Sequence, residues 1–194
     1  MPLQNRVTPS GELIATRARG TVMGNRGILH DDRRRIVRST RNRAWLICRL
    51  EFQGRRRAVM SPGSYTELFF LDETVALAAG HRPCGECRRS AYRAFLDAVN
   101  ASGAVELDRR LNTSRRAPNE VARIADLPDG VFLRIDGDRL KWQGALHRWT
   151  PGGYVDPVPV ADAGANTAMV LTPALSVDAL RHGYAVEVHP TVKQ

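Results

Sequence analysis

The stretch YTELFFLDETVALAAGHRPCGEC, residues 65–87, changes its hydrophobic period along its length, and its reading decides how the chain folds. Tyr65–Phe70 reads as a strand. Asp72 then stands ahead of a run ending at Ala79, where its carboxylate can accept hydrogen bonds from the free N–H groups of a first helical turn. Gly80, which adopts positive φ without penalty, can close that short helix. The segment His81-Arg82-Pro83-Cys84-Gly85-Glu86-Cys87 follows as a turn or knuckle. Beyond it, Cys87, Ala91, Phe95 and Ala98 recur at helical spacing, so Cys87 is expected to open a helix that runs to Val99. Asn100-Ala101-Ser102-Gly103 stops it.

Working upstream, Gly11–Arg19 and Thr21–Met23 read as short strands separated by Gly20, and Arg33–Arg43 as a basic loop. Trp45–Phe52 alternates like a strand, with Leu46, Cys48, Leu50 and Phe52 on one face and Trp45, Ile47, Arg49 and Glu51 on the other. Gln53-Gly54 has the makeup of a two-residue hairpin turn, which predicts a partner arm over Arg55–Met60. Downstream, 101–118 is polar and reads as a linker. Asn119 is placed to cap a helix through Leu127. Val131–Ile135 and Arg139–Trp142 make a hairpin across Asp136-Gly137-Asp138. Leu146–Trp149 leads to a turn at Pro151-Gly152-Gly153, Ala168–Thr172 to a strand, Pro173–His182 to a helix and Ala185–His189 to a last strand. Periodicity thus divides the chain into 1–100, a linker at 101–118 and an extension at 119–194.

The 194 residues are 43% hydrophobic and 25% charged, which suits a folded domain rather than a disordered chain. No apolar run of about 18 residues exists, which excludes a membrane-spanning helix and a membrane partner of that kind. The amino end lacks a signal-peptide core. Three cysteines are too few for a disulfide scaffold, so a reduced, cytoplasmic setting is expected.

The formal charge of +9 is carried by one half of the chain. Residues 1–100 hold 18 arginines against nine acids, whereas 101–194 hold 11 basic and 11 acidic residues. Ten arginines fall within 33–57 beside one acid, Glu51. Of 29 basic residues only Lys141 and Lys193 are lysine, and guanidinium is the group whose planar fork fits phosphate. Such a density concentrates a polyanion and points to nucleic acid as the partner.

Cys84 and Cys87 form a C-x-x-C pair entering a helix, the spacing at which one turn wraps a metal ion. Cys48, on its strand, would be a third thiolate. Zinc takes four ligands, and no fourth cysteine exists. His30 and His81 are the histidines in this half. His81 lies three residues before Cys84 and would strain a compact knuckle, so His30, free to arrive from a separate loop, is preferred. The expected metal ligands are therefore His30, Cys48, Cys84 and Cys87. Competing readings are a redox C-x-x-C pair and, for Cys48, an ordinary buried cysteine.

The run Phe69–Cys87, with paired phenylalanines, a short alanine-rich helix and then Gly-His-Arg-Pro-Cys-Gly-Glu-Cys, resembles the metal-binding amino-terminal domain of Ada-type DNA methyl-damage repair proteins. Val22–His30 resembles that family's strand and turn more faintly, so the likeness covers about residues 20–90. It implies a zinc site in which a metal-activated thiolate takes a methyl group from a DNA phosphotriester while arginines hold the backbone. Cys84 and Cys87 match the retained ligand pair. Where the family's first cysteine pair would stand, this chain has His30 and Arg34, so the nucleophile has no match.

Pro83-Cys84-x-x-Cys87 also equals half of the zinc deaminase signature, but no His-x-Glu partner stands at the required spacing: Asp32 follows His30 and Leu50 follows Cys48. The expected fold is α+β: a small antiparallel sheet with a zinc knuckle entering a helix, plus a smaller α+β extension. The expected function is DNA binding in repair or regulation, with zinc mainly structural. Arg33, Arg34, Arg35, Arg55, Arg56 and Arg57 would take phosphates, and Arg82, Arg88 and Arg89, flanking the metal knuckle, complete the expected nucleic-acid-binding set. The alternatives are a thiolate methyl acceptor, a zinc-dependent deaminase or hydrolase, and an RNA or protein interaction module. In the second half, Trp142, His147, Arg148, Trp149 and Tyr154 cluster around Pro151-Gly152-Gly153, either as bases' stacking partners or as the core of a hairpin layer.

Overall fold

The computed structural model describes residues 1–54 and 58–193. The first half builds a six-stranded sheet from β1 (Gln4–Val7), β2 (Leu13–Ala15), β3 (Val22–Asn25), β4 (Leu46–Cys48), β5 (Leu68–Phe70) and β6 (Arg82–Pro83). Their spatial order is β2-β1-β5-β3-β4-β6. The sheet is mixed, because β1–β5 and β4–β6 pair in parallel and the other neighbours antiparallel. Three helices follow or interrupt it: α1 (Glu73–Ala78), α2 (Arg89–Ala98) and α3 (Ala104–Ser114).

The second half forms its own antiparallel sheet of six strands: β7 (Val121–Arg123), β8 (Phe132–Arg134), β9 (Asp138–Trp142), β10 (Ala145–Thr150), β11 (Gly153–Pro159) and β12 (Thr167–Val170), in the order β11-β10-β9-β8-β12-β7. Helix α4 (Ala174–Arg181) returns the chain toward α2 and α3. The protein is α+β, as expected. One apolar cluster unites both halves, drawing Ile47, Phe70, Leu77, Phe95, Leu107 and Leu111 together with Phe132, Leu140, Tyr154, Leu171 and Leu180.

Within 65–87, α1 forms where its cap and closing glycine place it, while the strand shortens to β5 and Arg82–Pro83 of the expected knuckle pairs as β6. Asp72 caps α1, its side chain accepting from the Val75 N–H at 3.0 Å. Gly80 ends the turn at φ +83°, and Arg115 lies so close over it that a Cβ there would sit 2.4 Å from the Arg115 Cδ. Arg115 also donates to the Gly80 carbonyl at 2.8 Å, so the terminus needs both a left-handed conformation and the absence of a side chain.

Several sequence expectations give way to longer-range packing. The strand expected over Trp45–Phe52 shortens to β4, whose two neighbours are β3 and β6, and the described part of the expected hairpin arm, Ala58–Met60, is not a strand. Gln53 and Gly54 still turn, both at positive φ, while Arg55, Arg56 and Arg57 lie outside the described residues. Residues 104–114 of the expected linker are helical, anchored by buried Leu107 and Leu111 one turn apart. Val121–Arg123 pairs with β12 instead of forming a helix capped by Asn119. Ala185–His189 is irregular rather than a strand. Gln4–Val7, unremarked in the sequence, is the strand that links β2 to β5.

Candidate metal centre and its surroundings

Parallel pairing of β6 with β4 creates the site. The Arg82 N–H donates to the Trp45 carbonyl at 3.0 Å and the Cys84 N–H to the Ile47 carbonyl at 2.9 Å, which lays the start of the knuckle beside the end of β4. Ile47 is fully buried against the core, so its neighbour Cys48 points to the opposite face of the sheet. The apolar face of this strand is thus the odd-numbered one, and Cys48 is not a core cysteine. The chain then turns through Gly85-Glu86-Cys87-Arg88, closed by an Arg88 N–H to Cys84 carbonyl bond of 3.1 Å, and α2 begins at Arg89. Cys87 sits in this turn, just ahead of the helix rather than opening it.

The Sγ atoms of Cys48, Cys84 and Cys87 all lie within 4.8 Å of one another. Thiolates at zinc–sulfur distances of about 2.3 Å in a tetrahedron stand about 3.8 Å apart, so the trio fits a metal ion with small adjustments. Two backbone donors already face the sulfurs: Glu86 N–H to Cys84 at 3.4 Å and Arg49 N–H to Cys87 at 3.5 Å. Such donors orient thiolate ligands and offset their charge. The closeness of Cys48 draws Cys84 down to about 5 and lowers Cys87, while Cys48 itself is raised. Three cysteines at this separation could hold a metal ion.

Neither histidine joins them. His30 is buried at a distance, its Nδ1 on the Thr66 hydroxyl at 2.6 Å and its Nε2 on the Ser61 carbonyl at 3.3 Å. Both ring nitrogens are already used to fasten the basic loop to the segment before β5. His81 is enclosed between Trp45 and Phe70, ring centroids 5.1 and 4.7 Å away, and its Nε2 accepts from Arg26 Nε at 3.1 Å. Among the described residues, the three sulfurs are the whole cluster.

The nine arginines expected to bind nucleic acid divide sharply. Arg33, Arg34, Arg35 and Arg89 are exposed, and Arg35 turns back to Asp31 at 2.7 Å. Arg55, Arg56 and Arg57 are not described. Arg82 and Arg88 are buried scaffold. Arg82 grips Asp108 of α3 through two bonds of 2.9 and 2.8 Å, and Arg88 grips Glu73 of α1 through two of 2.8 Å. Such forked pairs satisfy guanidinium and carboxylate together.

Periodicity overlooks the buried Glu73, which together with Asp72 ties the second half to the knuckle. Glu73 also accepts from the Tyr184 hydroxyl at 2.6 Å and the Glu187 N–H at 3.2 Å. Asp72 accepts from the Tyr154 hydroxyl at 2.8 Å and the His189 N–H at 2.9 Å, and burial raises its carboxyl above the usual range. A signal was available: two adjacent acids opening an otherwise apolar helix must find donors when buried. Trp45 is a second such feature, sandwiched between the guanidiniums of Arg26 at 4.0 Å and Arg115 at 4.4 Å. Burial first, and then the like charge of the nearby Arg115, lower Arg26 to about 9. In the second half Tyr154 and His147 are buried and Trp142 and Trp149 half-buried, packed on the core.

Comparison with known protein families, with curated proteins and with solved structures gives no match for this chain. Among the described residues, no helix is long and apolar enough to cross a membrane.

Proposed function

We propose that this is a zinc-binding, arginine-rich DNA-binding protein of repair or regulation, akin to the Ada-type metal domain. The observation that carries the reading is the convergence of Cys48 on the Cys84–Cys87 turn, from a face of β4 that does not serve the core. Thiolates are the ligands zinc prefers in structural sites, and zinc there would tie β4 to the start of α2. Support for a polyanion partner comes from the surface. Three buried arginines (Arg26, Arg82, Arg88) and three buried acids (Glu67, Asp72, Glu73) cancel among the described residues of the first half, which leaves its basic excess at the surface. Arg33, Arg34, Arg35 and Arg89 are the phosphate contacts among the described residues.

Metal analysis of purified protein tests the centre. About one zinc per chain is expected, lost in Cys48→Ala and kept in His30→Ala; protein that purifies folded without zinc and takes none up overturns it. A second reading, a thiolate methyl acceptor, draws on one observation: Cys48 as a whole residue is half-buried, whereas Cys84 and Cys87 are buried. Incubation with methylated DNA followed by intact-mass measurement checks it, since acceptance adds the mass of one methyl group.

A further inference from the structure

Cys48, Cys84 and Cys87 are all the cysteines of the chain, and their Sγ atoms lie within 4.8 Å of one another. Every histidine, aspartate and glutamate is also among the described residues, and none offers a ligand atom within the cluster. His30 is held on Thr66 and Ser61, and His81 on Arg26. The trio therefore presents three soft donors and no fourth. Among the described residues, the groups bonded to these sulfurs are backbone N–H donors, Glu86 on Cys84 and Arg49 on Cys87, rather than cationic side chains. Cys84 and Cys87 are buried, where a net charge on the centre is costly. An ion that satisfies the trio completely takes three sulfur ligands and leaves no charge behind. A divalent ion does neither, since with three thiolates it keeps one open position and a net −1. A trivalent arsenic centre does both: three thiolates neutralise it, and its lone pair fills the fourth corner.

We propose that Cys48, Cys84 and Cys87 form a binding site for trivalent arsenic, taken from its hydroxide and held in preference to zinc. The proposal uses the thiols of the zinc centre proposed above and does not depend on zinc. In the metal-free chain the step is a ligand exchange without an oxidant. Three As–O bonds break as three As–S bonds form, each thiol proton leaves with a hydroxide as water, and arsenic stays trivalent throughout. Thiolates suit such a soft centre as they suit soft metal ions. Cys48 ends β4, and Cys84 and Cys87 stand outside regular elements between β6 and α2, so side-chain rotations bring the three sulfurs onto one pyramidal atom.

The test titrates the full chain, reduced and metal-free, with arsenite and counts the thiols that remain reactive. One arsenic per chain is expected, with all three thiols protected. Phenylarsine oxide, whose arsenic exchanges only two bonds, is the probe for a thiol pair. Cys48→Ala is expected to bind phenylarsine oxide as wild type does, which shows the Cys84–Cys87 turn intact, and to bind arsenite at least tenfold more weakly. Zinc-loaded protein is expected to release its zinc as arsenite binds. Arsenite that protects two thiols instead of three, or that binds Cys48→Ala as tightly as wild type, overturns the trio as the site. Zinc that saturating arsenite leaves in place overturns the preference for the trivalent ion. Protein that takes up no zinc yet binds one arsenic through three thiols overturns the zinc reading and upholds the arsenic site.

Discussion

Two arginine-rich segments of the first half, the loop at 33–43 and the flank of the knuckle at 82–89, are alike in composition and opposite in fate. In the loop the guanidiniums of Arg33, Arg34 and Arg35 stand in solvent, with Asp31 drawn into a pair by Arg35. At the knuckle Arg82 and Arg88 are buried and forked onto Asp108 and Glu73. The difference comes from what lies behind each segment. The loop is joined to the core through its backbone, by the Ile36–His30 bridge and by N–H groups of Val37 and Arg38 on Leu29 and of Arg41 and Asn42 on Arg26, which leaves its guanidiniums outside. The knuckle is pressed between α1, α3 and the returning C-terminal segment, where a charge survives only with a partner. Arginine density therefore marks a field in one segment and a framework in the other, and only burial separates them.

Breaking the framework should produce the largest effect. Arg88→Met strands Glu73, one of the most buried carboxylates of the chain, with only Tyr184 and the Glu187 N–H as donors. Removal of one member of a buried pair costs about 3–5 kcal/mol, read as a loss of unfolding free energy in denaturant. The double variant Glu73→Gln with Arg88→Met should recover much of that loss, because it removes both charges. A single variant as stable as wild type would show that the pair carries no weight.

Less costly is the titration of His81, which lies on the framework side of the comparison. Burial first, and then Arg26 and Arg115, hold its imidazole well below the usual 6.5. The unfolded chain takes up this proton near pH 6.5 and the folded chain does not, so the stabilisation is present above that pH and is lost as pH falls below it. The slope is at most about 1.4 kcal/mol per pH unit for one proton. In His81→Gln that part of the slope should vanish between pH 6.5 and 5. Subtraction of the two profiles removes what the thiols contribute, and parallel profiles would mean that the ring protonates freely in the folded state.

The sequence discloses what is local and conceals what is set by neighbours. Asp72, Gly80 and the turn at Cys84–Cys87 are legible because a cap, a left-handed terminus and a C-x-x-C spacing each have a local cause. Cys48 is legible as a partner of that turn by its chemistry, but the face it occupies is not. Alternation divides a strand into two faces without saying which is inside, and β4 buries Ile47 because the core happens to lie there. Helix α3 shows only Leu107 and Leu111 as inward residues in a polar setting, too thin a stripe to set against its polarity. The missing fourth ligand is beyond reach for the same reason: spacing permits His30 to arrive, whereas Thr66 and the Ser61 carbonyl, more than thirty residues on, are what hold it away.

The loop is where the smallest effect on stability and the clearest effect on binding should coincide. Arg33→Glu, Arg34→Glu and Arg35→Glu together alter side chains that are exposed, and exposed charges seldom move an unfolding midpoint. The midpoint of the triple variant should lie within error of wild type. Its affinity for duplex DNA should nonetheless fall, and the slope of log affinity against log salt should shrink by about 0.9 for each phosphate that the loop no longer neutralises. Arg82→Met, measured where it remains folded, should keep the wild-type slope, because that guanidinium is spent on Asp108. If the slopes came out the other way round, the knuckle arginines would be reaching phosphate after all and the loop would be a solvated face. A salt-independent interaction in both would exchange the polyanion for a protein partner, since only counterion release ties affinity to salt in this way.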